Sequence, residues 1–359
     1  MENIRILGIS TYRPEEIAEP IGRLEGSKHI SIDHTKGFVN KYVSAFINAG
    51  REVSTGEYDV VIVSSPGLLS FFMCIVCLVH TTPLIIRLIG NYWRVSDIMM
   101  RRSVAELNIS SIFRSSVRSI LSKISFILVD GCIVVSEDLV EVVERNTSVR
   151  RENISVVHYP INLDRYTSGY SRNFVEQYHI QTEKILSVIF HAEFYPKYRG
   201  FKDLIRLINR VLCDYSDVSL VVAGWGEHYD KLVSDFDHDR IHFVGYVENI
   251  PDLYAATDIL LYNSYMDGYP NVILEAQAAG VPVISNPKFG MREQISHLET
   301  GVLAQLDGQY ESYIREMLDG KIDIRKLGYN SQQAVREHNT PESISQDLSH
   351  GVENIIGNK

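Results

Sequence analysis

The stretch of this chain with the most chemistry in it is Asp267-Gly268-Tyr269-Pro270-Asn271-Val272-Ile273-Leu274-Glu275. Pro270 stands where the first turn of a helix accepts a proline, because the N–H it lacks would have no intrahelical partner there. Gly268 allows close approach to the backbone. The unpaired N–H groups of the following turn form a site for a diphosphate, favoured further by the helix dipole. Glu275 then lies roughly 7 to 8 Å along the helix from its start, at a rise of roughly 1.5 Å per residue. That offset suits a nucleotide sugar, with the phosphates at the helix mouth, Asp267 accepting from sugar hydroxyls and Glu275 accepting from the two ribose hydroxyls. A carboxylate receiving two hydroxyl protons contributes roughly 1.5 to 3 kcal/mol. An isolated acid pair at this spacing would more often be a solvated helix start, so its surroundings decide.

Those surroundings are an alternation of short apolar runs and helical segments. Lys184 to Phe190, Val218 to Ala223, Ile241 to Val244, Ile259 to Tyr262, Pro282 to Ser285 and Gly301 to Leu303 read as buried strands, with helices over Phe201 to Cys213, Pro251 to Ala256 and Asn271 to Ala279. The first half repeats the pattern, with strands at Ile4 to Ser10, His29 to Asp33, Asp59 to Ser64, Pro83 to Ile89 and Cys132 to Ser136, and helices at Gly37 to Gly50, Leu68 to His80 and Ile109 to Val129. Strands separated by helices require crossover connections and therefore parallel sheets. The fold class is α/β, with two Rossmann-like domains at 1–165 and 166–335. A polar linker is expected near Asn162 to Thr182, and a C-terminal helical segment at 336–359 that packs back on either domain. Ligands of open α/β sheets bind at the carboxyl ends of the strands, so a cleft between the two sheets is expected.

Read in order, Tyr254-Ala255-Ala256-Thr257-Asp258, the Asp267 to Asn271 loop, Glu275-Ala276 and Ala279-Gly280-Val281-Pro282-Val283-Ile284-Ser285 resemble the C-terminal signature of the retaining family-4 glycosyltransferases of GT-B architecture (glycosyl transferases group 1). Gly224-Trp225-Gly226-Glu227, Phe243-Val244-Gly245-Tyr246-Val247 and Glu299-Thr300-Gly301-Val302-Leu303 match as well. The resemblance covers Lys184 to Leu303 in motifs and the first half in layout. It implies two parallel-sheet domains facing across a cleft, the C-terminal one binding a nucleoside-diphosphate sugar and the N-terminal one a glycan or lipid-linked glycan acceptor. It implies catalytic roles for Asp267, Glu275 and Arg199, where Arg199-Gly200 matches the family's lysine-glycine step toward the pyrophosphate. Lys197, His191, Gly268, Tyr269, Asn271, Gly224 and Tyr246 are implied on the donor side, with Asn91 and Arg13 on the acceptor side.

Three departures stand out. The first acid is aspartate where the family usually has glutamate, one methylene shorter. Phe190-His191-Ala192-Glu193 stands where a glycine-arginine pair is expected, so His191 or Lys197 would supply the missing pyrophosphate contact. Cations already positioned at a departing diphosphate lower the barrier without reorganising. In the first half, Thr11-Tyr12-Arg13-Pro14 replaces a glycine-rich loop and Asn91 stands near the place of a histidine. The resemblance implies a front-side retaining mechanism, in which the departing phosphate oxygen itself takes the acceptor's proton and no protein base is needed. The alternatives are a donor-binding but inactive subunit supporting a partner transferase, and a nucleotide-sugar epimerase of the same architecture.

Composition narrows the partners. The chain has 359 residues, 45% of them hydrophobic, and a formal charge of -10, so no global field attracts nucleic acid. Four cysteines in apolar surroundings, and a first stretch with no cationic segment followed by an apolar run, lead us to expect a chain that stays in a reducing cytoplasm. Leu68 to Val79 is apolar but is interrupted by His80 to Pro83, too early for a spanning helix. Cys74 and Cys77 within it read as packing residues. Asp235-Phe236-Asp237-His238-Asp239 lies at the amino end of a strand, away from the ligand-binding end, so it reads as a solvated turn and no metal or other cofactor is expected. The segment 94–123 is locally basic. Its residues Ile109, Ile112, Phe113, Val117, Ile120, Leu121 and Ile124 share one helical face, which reads either as a face packed on the sheet with a wet basic side, or as part of a peripheral contact with anionic lipid or a lipid-pyrophosphate acceptor at the inner face of the cell membrane.

Overall fold

A computed structural model describes residues 4–10, 15–32, 38–64, 66–236 and 238–358. The chain forms two compact units, Met1–Pro160 with Pro341–Lys359, and Ile161–Thr340.

In the first unit the strands are β1 (Ile6–Ser10), β2 (Lys28–Ser31), β3 (Val60–Ser64), β4 (Leu84–Leu88), β5 (Gly131–Val134) and β6 (Ile154–Val156), paired in parallel in the order β2-β1-β3-β4-β5-β6. β1, β3 and β4 are buried on both faces, which explains why they read as unbroken apolar runs and not as alternating ones. One face packs Leu7, Ile9, Val61 and Val63 on Met73, Cys74 and Cys77 of the helix Leu68–His80. Burial pushes the Cys74 thiol up to about 11 and the Cys77 thiol up to about 12, which keeps both protonated and inert as nucleophiles.

The other face packs Ile6, Ile62, Ile85 and Ile133 on Ile344, Leu348, Val352 and Ile355 of the C-terminal helix Pro341–Gly357. That helix is fixed by hydrogen bonds from Ser155 Oγ to the Gly351 carbonyl (3.0 Å) and from Ser345 Oγ to the Pro20 carbonyl (2.9 Å). Gly351 matters here because a Cβ would stand 3.1 Å from that of Ser155. β6 was not anticipated: it is three residues long and follows a charged turn at Arg151–Asn153, too short for periodicity to register.

In the second unit β7 (Lys184–His191), β8 (Val218–Trp225), β9 (Ile241–Gly245), β10 (Ile259–Tyr262), β11 (Val283–Ser285) and β12 (Val302–Leu303) form a second all-parallel sheet, in the order β12-β11-β10-β7-β8-β9. The chain crosses from β9 to β10 at the far side of β7, the kind of reversal beside which open α/β sheets bind ligands. The stretch expected as an irregular linker holds two short helices, Leu163–Thr167 and Ser171–Gln177. They are seated by Tyr166 and Phe174, both buried, and by Asp252, which accepts from the Tyr170 N–H at 2.7 Å. A polar composition hid two aromatic anchors.

Candidate functional site

The site is built around the loop 263–270 that leaves β10. Asn286, just after β11, grips it from beneath: its Oδ1 accepts from the Ser264 N–H (3.1 Å) and its Nδ2 donates to the Ser264 carbonyl (2.9 Å). The Gly290 N–H donates to the Gly268 carbonyl (2.7 Å), and Gln294 Nε2 donates to the Pro270 carbonyl (3.0 Å). The loop is thus clamped before the helix Asn271–Ala278 begins.

Within this frame Asp267 is 20% exposed and surrounded by donors. Tyr262 Oη (2.7 Å) and Ser264 Oγ (2.6 Å) donate to its Oδ2, and Lys197 Nζ lies 3.1 Å from its Oδ1. Burial pushes the carboxyl up, but the Lys197 ammonium and the bonds from Ser264, Tyr262 and Lys197 together hold it below the ordinary aspartate value. Asp267 is therefore ionised at neutral pH. Three donors on a carboxylate with roughly four lone-pair directions leave roughly one for a ligand hydroxyl.

Lys197 rides on the first turn of the helix Tyr195–Leu212, which carries proline in that turn. The helix comes this close to the loop because residue 200 is glycine. A Cβ there would stand 2.5 Å from the Asn263 carbonyl oxygen, and Asn263 Nδ2 donates to the Gly200 carbonyl at 2.9 Å. Gly200 thus brings a buried lysine and a partly buried aspartate together.

Arg199 is not part of this group. Two residues along a helix from Lys197 it points to nearly the opposite side. It is 67% exposed, 3.9 Å from Asp203, on a surface hollow lined also by Tyr195, Tyr198, Lys202 and Arg206. Arg199, expected on the pyrophosphate, does not touch Asp267: Lys197 is the cation beside that carboxylate, because helical phase decides which side chain faces the loop.

Glu275 is half-buried on the helix Asn271–Ala278, and its Oε2 accepts from Tyr254 Oη at 2.8 Å. Tyr254 is fully buried, and burial together with the Glu275 charge holds its phenol well above the ordinary tyrosine value, so it remains a donor. The Tyr166 ring packs edge-on against it at 5.9 Å.

The other expected donor-side residues divide. His191 ends β7 with its ring 5.8 Å from that of Trp225 and Nδ1 3.8 Å from a Glu193 oxygen. Asn271 opens the helix, half-buried, and Gly268 lies in the clamped loop. Tyr246 is exposed beyond β9. Gly224 serves the sheet, since a Cβ there would meet the Phe190 carbonyl oxygen at 2.2 Å. Tyr269, in the same loop as Gly268, is buried beside Asn339. In the first unit Asn91 caps the helix Tyr92–Ala105 by accepting from the Arg94 N–H at 3.0 Å. Arg13 lies outside the described residues.

Sequence reasoning missed Tyr262, Ser264, Asn286 and the role of the Tyr254 hydroxyl. The polar run Tyr262-Asn263-Ser264 closing an apolar strand was the available signal. Among the described residues no group of three or more His, Cys, Asp or Glu side chains is arranged to hold a metal. Asp235 accepts from Lys202 Nζ and Tyr198 Oη at the end of the helix Tyr229–Asp235, and Asp237 lies outside the described residues.

Residues 186–319 match the family model described as Glycosyl transferases group 1. The chain is 28% identical over 171 residues to an N-acetyl-alpha-D-glucosaminyl L-malate synthase of Bacillus anthracis, covering 46% of this chain and 44% of that protein. It is 21% identical over 251 residues to the capsular polysaccharide biosynthesis glycosyltransferase CapM of Staphylococcus aureus, covering 66% and 64%. The chain thus spans about half the length of the curated relatives it matches. Among solved structures, Alr3699/HepE of Anabaena, in complex with UDP and glucose, superposes with a TM-score of 0.70 at 15% identity, covering 98% of this chain and 99% of that one. Sucrose-phosphate synthase of Thermosynechococcus elongatus superposes with a TM-score of 0.69 at 13% identity, covering 99% and 100%. With its two parallel six-stranded sheets the chain has the GT-B type of fold, and its residues 186–319 are similar to the glycosyl transferases group 1 family.

Proposed function

We propose that this chain is a retaining, metal-independent glycosyltransferase that moves a sugar from a nucleoside-diphosphate sugar to a glycan or lipid-linked glycan hydroxyl. The observation that carries the reading is the ionised Asp267, held by Lys197, Tyr262 and Ser264 at the carboxyl end of β10, with Glu275 on the helix that follows. Lys197 takes the pyrophosphate-facing role first given to Arg199: it supplies a fixed positive charge where the leaving diphosphate gains negative charge. The helix start at Asn271 adds N–H donors for the same phosphates. Glu275, steadied by Tyr254, accepts from the ribose hydroxyls, and the remaining lone pair of Asp267 accepts from the sugar.

In the front-side course, the departing phosphate oxygen takes the acceptor's proton as the new bond forms on the face the diphosphate leaves. On the same reading the enzyme works in the cytoplasm. The relative from Bacillus anthracis, an N-acetyl-alpha-D-glucosaminyl L-malate synthase, and CapM, a glycosyltransferase, support the class of reaction.

Calorimetric titration with UDP tests the donor site. Glu275→Ala is expected to weaken UDP by about ten- to a hundred-fold, the equivalent of about 1.5 to 3 kcal/mol for a doubly engaged carboxylate. Unchanged affinity refutes the assignment. Incubation with a panel of nucleotide sugars, in the presence of a chelator, should give slow donor hydrolysis. Binding without turnover would point instead to the inactive subunit, and an epimerised donor to the epimerase.

A further inference from the structure

The helix Ile109–Leu128 lies on the first unit with its amphipathicity reversed. The side turned to the protein carries Ser111, Ser115, Ser122, Ser125 and the buried Phe126, whose ring lies 5.3 Å from that of Trp93, and Ser70 of the helix Leu68–His80 donates to Ser125 Oγ at 3.2 Å. Tyr92 Oη and Ser122 Oγ are 2.7 Å apart, and Ser103 Oγ donates to Ser111 Oγ at 2.9 Å. The opposite side carries Ile109, Phe113, Val117, Ile120, Ile124 and Ile127, all exposed, with Ile109 at 81%, Phe113 at 69% and Ile127 at 71%. The sequence-based alternative in which this face packs on the sheet is corrected for five of its seven residues: Ile109, Phe113, Val117, Ile120 and Ile124 are exposed and Ile112 and Leu121 half-buried, while hydroxyl pairs and Phe126 make the inward contact.

At 100° per residue these six positions fall within a sector of roughly 80°. Arg114 lies beyond one border of that sector and Lys123 beyond the other. Residues 109–128 include no Asp or Glu, in a chain whose formal charge is -10. The neighbouring helix adds exposed Ile75, Leu78 and Val79, and the loop before Ile109 adds exposed Leu107. No helix among the described residues is long and apolar enough to cross a membrane.

We propose that this stripe is a membrane-docking surface that lies in the plane of an anionic lipid interface, with the apolar side chains among the acyl chains and Arg114 and Lys123 at the headgroups. An apolar face bordered by cations is what such an interface rewards, through buried area and attraction to acidic lipid together. A second copy of the chain fits less well. A two-fold contact would bring Arg114 and Lys123 of one copy against the same cations of the other. The inference rests on this surface alone and stands apart from the transferase reading.

Flotation of the full chain with phosphatidylcholine vesicles, with and without phosphatidylglycerol, tests it. The protein is expected to float with the anionic vesicles at low salt and to be partly released by high salt. The double substitution Phe113→Asp with Ile120→Asp should reduce the bound fraction at least about ten-fold, since partition follows the apolar area inserted. Both side chains are exposed, so circular dichroism and melting should be unchanged. Arg114→Glu with Lys123→Glu should remove the preference for phosphatidylglycerol. Wild type that stays out of the lipid fraction at low salt overturns the proposal. So does equal flotation of the Asp double variant, or a wild-type dimer in light scattering that the same variant splits.

Discussion

Replacing Lys197 by methionine tests the site's physical basis most directly, because it removes a charge while keeping most of the volume of a nearly buried side chain. Lys197 is 6% exposed and Asp267 20%, so the pair interacts with little screening. Removing one member of a buried ion pair costs about 3 to 5 kcal/mol, because the other charge is left uncompensated. Here Asp267 keeps Tyr262 and Ser264 as donors and some contact with water, which lowers the expected loss to about 2 to 3 kcal/mol.

Urea unfolding followed by Trp225 emission, in a Trp93→Phe background, reads the second unit, since these are the two tryptophans of the chain. The sign with pH follows from Asp267, whose folded carboxyl titrates below its unfolded value. Its stabilisation is complete above the unfolded value and is lost as pH falls through the folded one. The deficit of Lys197→Met should therefore be largest near about pH 7 and narrow on acidification. Adding Asp267→Asn should recover part of the loss, so that the two changes together cost less than their sum. A loss under about 0.5 kcal/mol, or a deficit that does not vary with pH, would refute the reasoning.

Two further outcomes follow from single positions. Gly200→Ala should cost about 1 to 3 kcal/mol and weaken UDP, because its Cβ can be accommodated only if the helix that carries Lys197 moves away from Asn263; Gly308→Ala, with nothing within 4 Å, should change melting little. His29, lowered to about 4 by burial first and the charge of Arg87 second, should show an NMR titration midpoint near that value, and the first unit should lose stability as pH falls from about 6.5 toward about 4; a midpoint near 6.5 would contradict the environment described.

Most of the sheet framework was legible because strands buried on both faces leave continuous apolar runs, as Val60–Ser64 and Ile259–Tyr262 do. The loop-to-helix step at Pro270 was legible for a local reason, since proline and glycine restrict or free the backbone wherever they occur. Asp267 and Glu275 could likewise be singled out by type and spacing. What the sequence determined by itself is thus what depends on neighbours along the chain: the α/β alternation, the helix start and the acid pair.

The partners of those acids depend on neighbours in space. Lys197 and Arg199 are equivalent in composition, and only the phase of their helix against the 263–270 loop buries one and exposes the other. Tyr262, Ser264 and Tyr254 became part of the site because strand and helix ends converge, which no local spacing records. The helix Ile109–Leu128 gives the same lesson in reverse. Its periodicity marked an apolar face, but periodicity does not say which way a face points. Tertiary structure decided that, because seating Phe126 against Trp93 and pairing Ser122 and Ser125 with the hydroxyls of Tyr92 and Ser70 left the stripe from Ile109 to Ile127 turned outward.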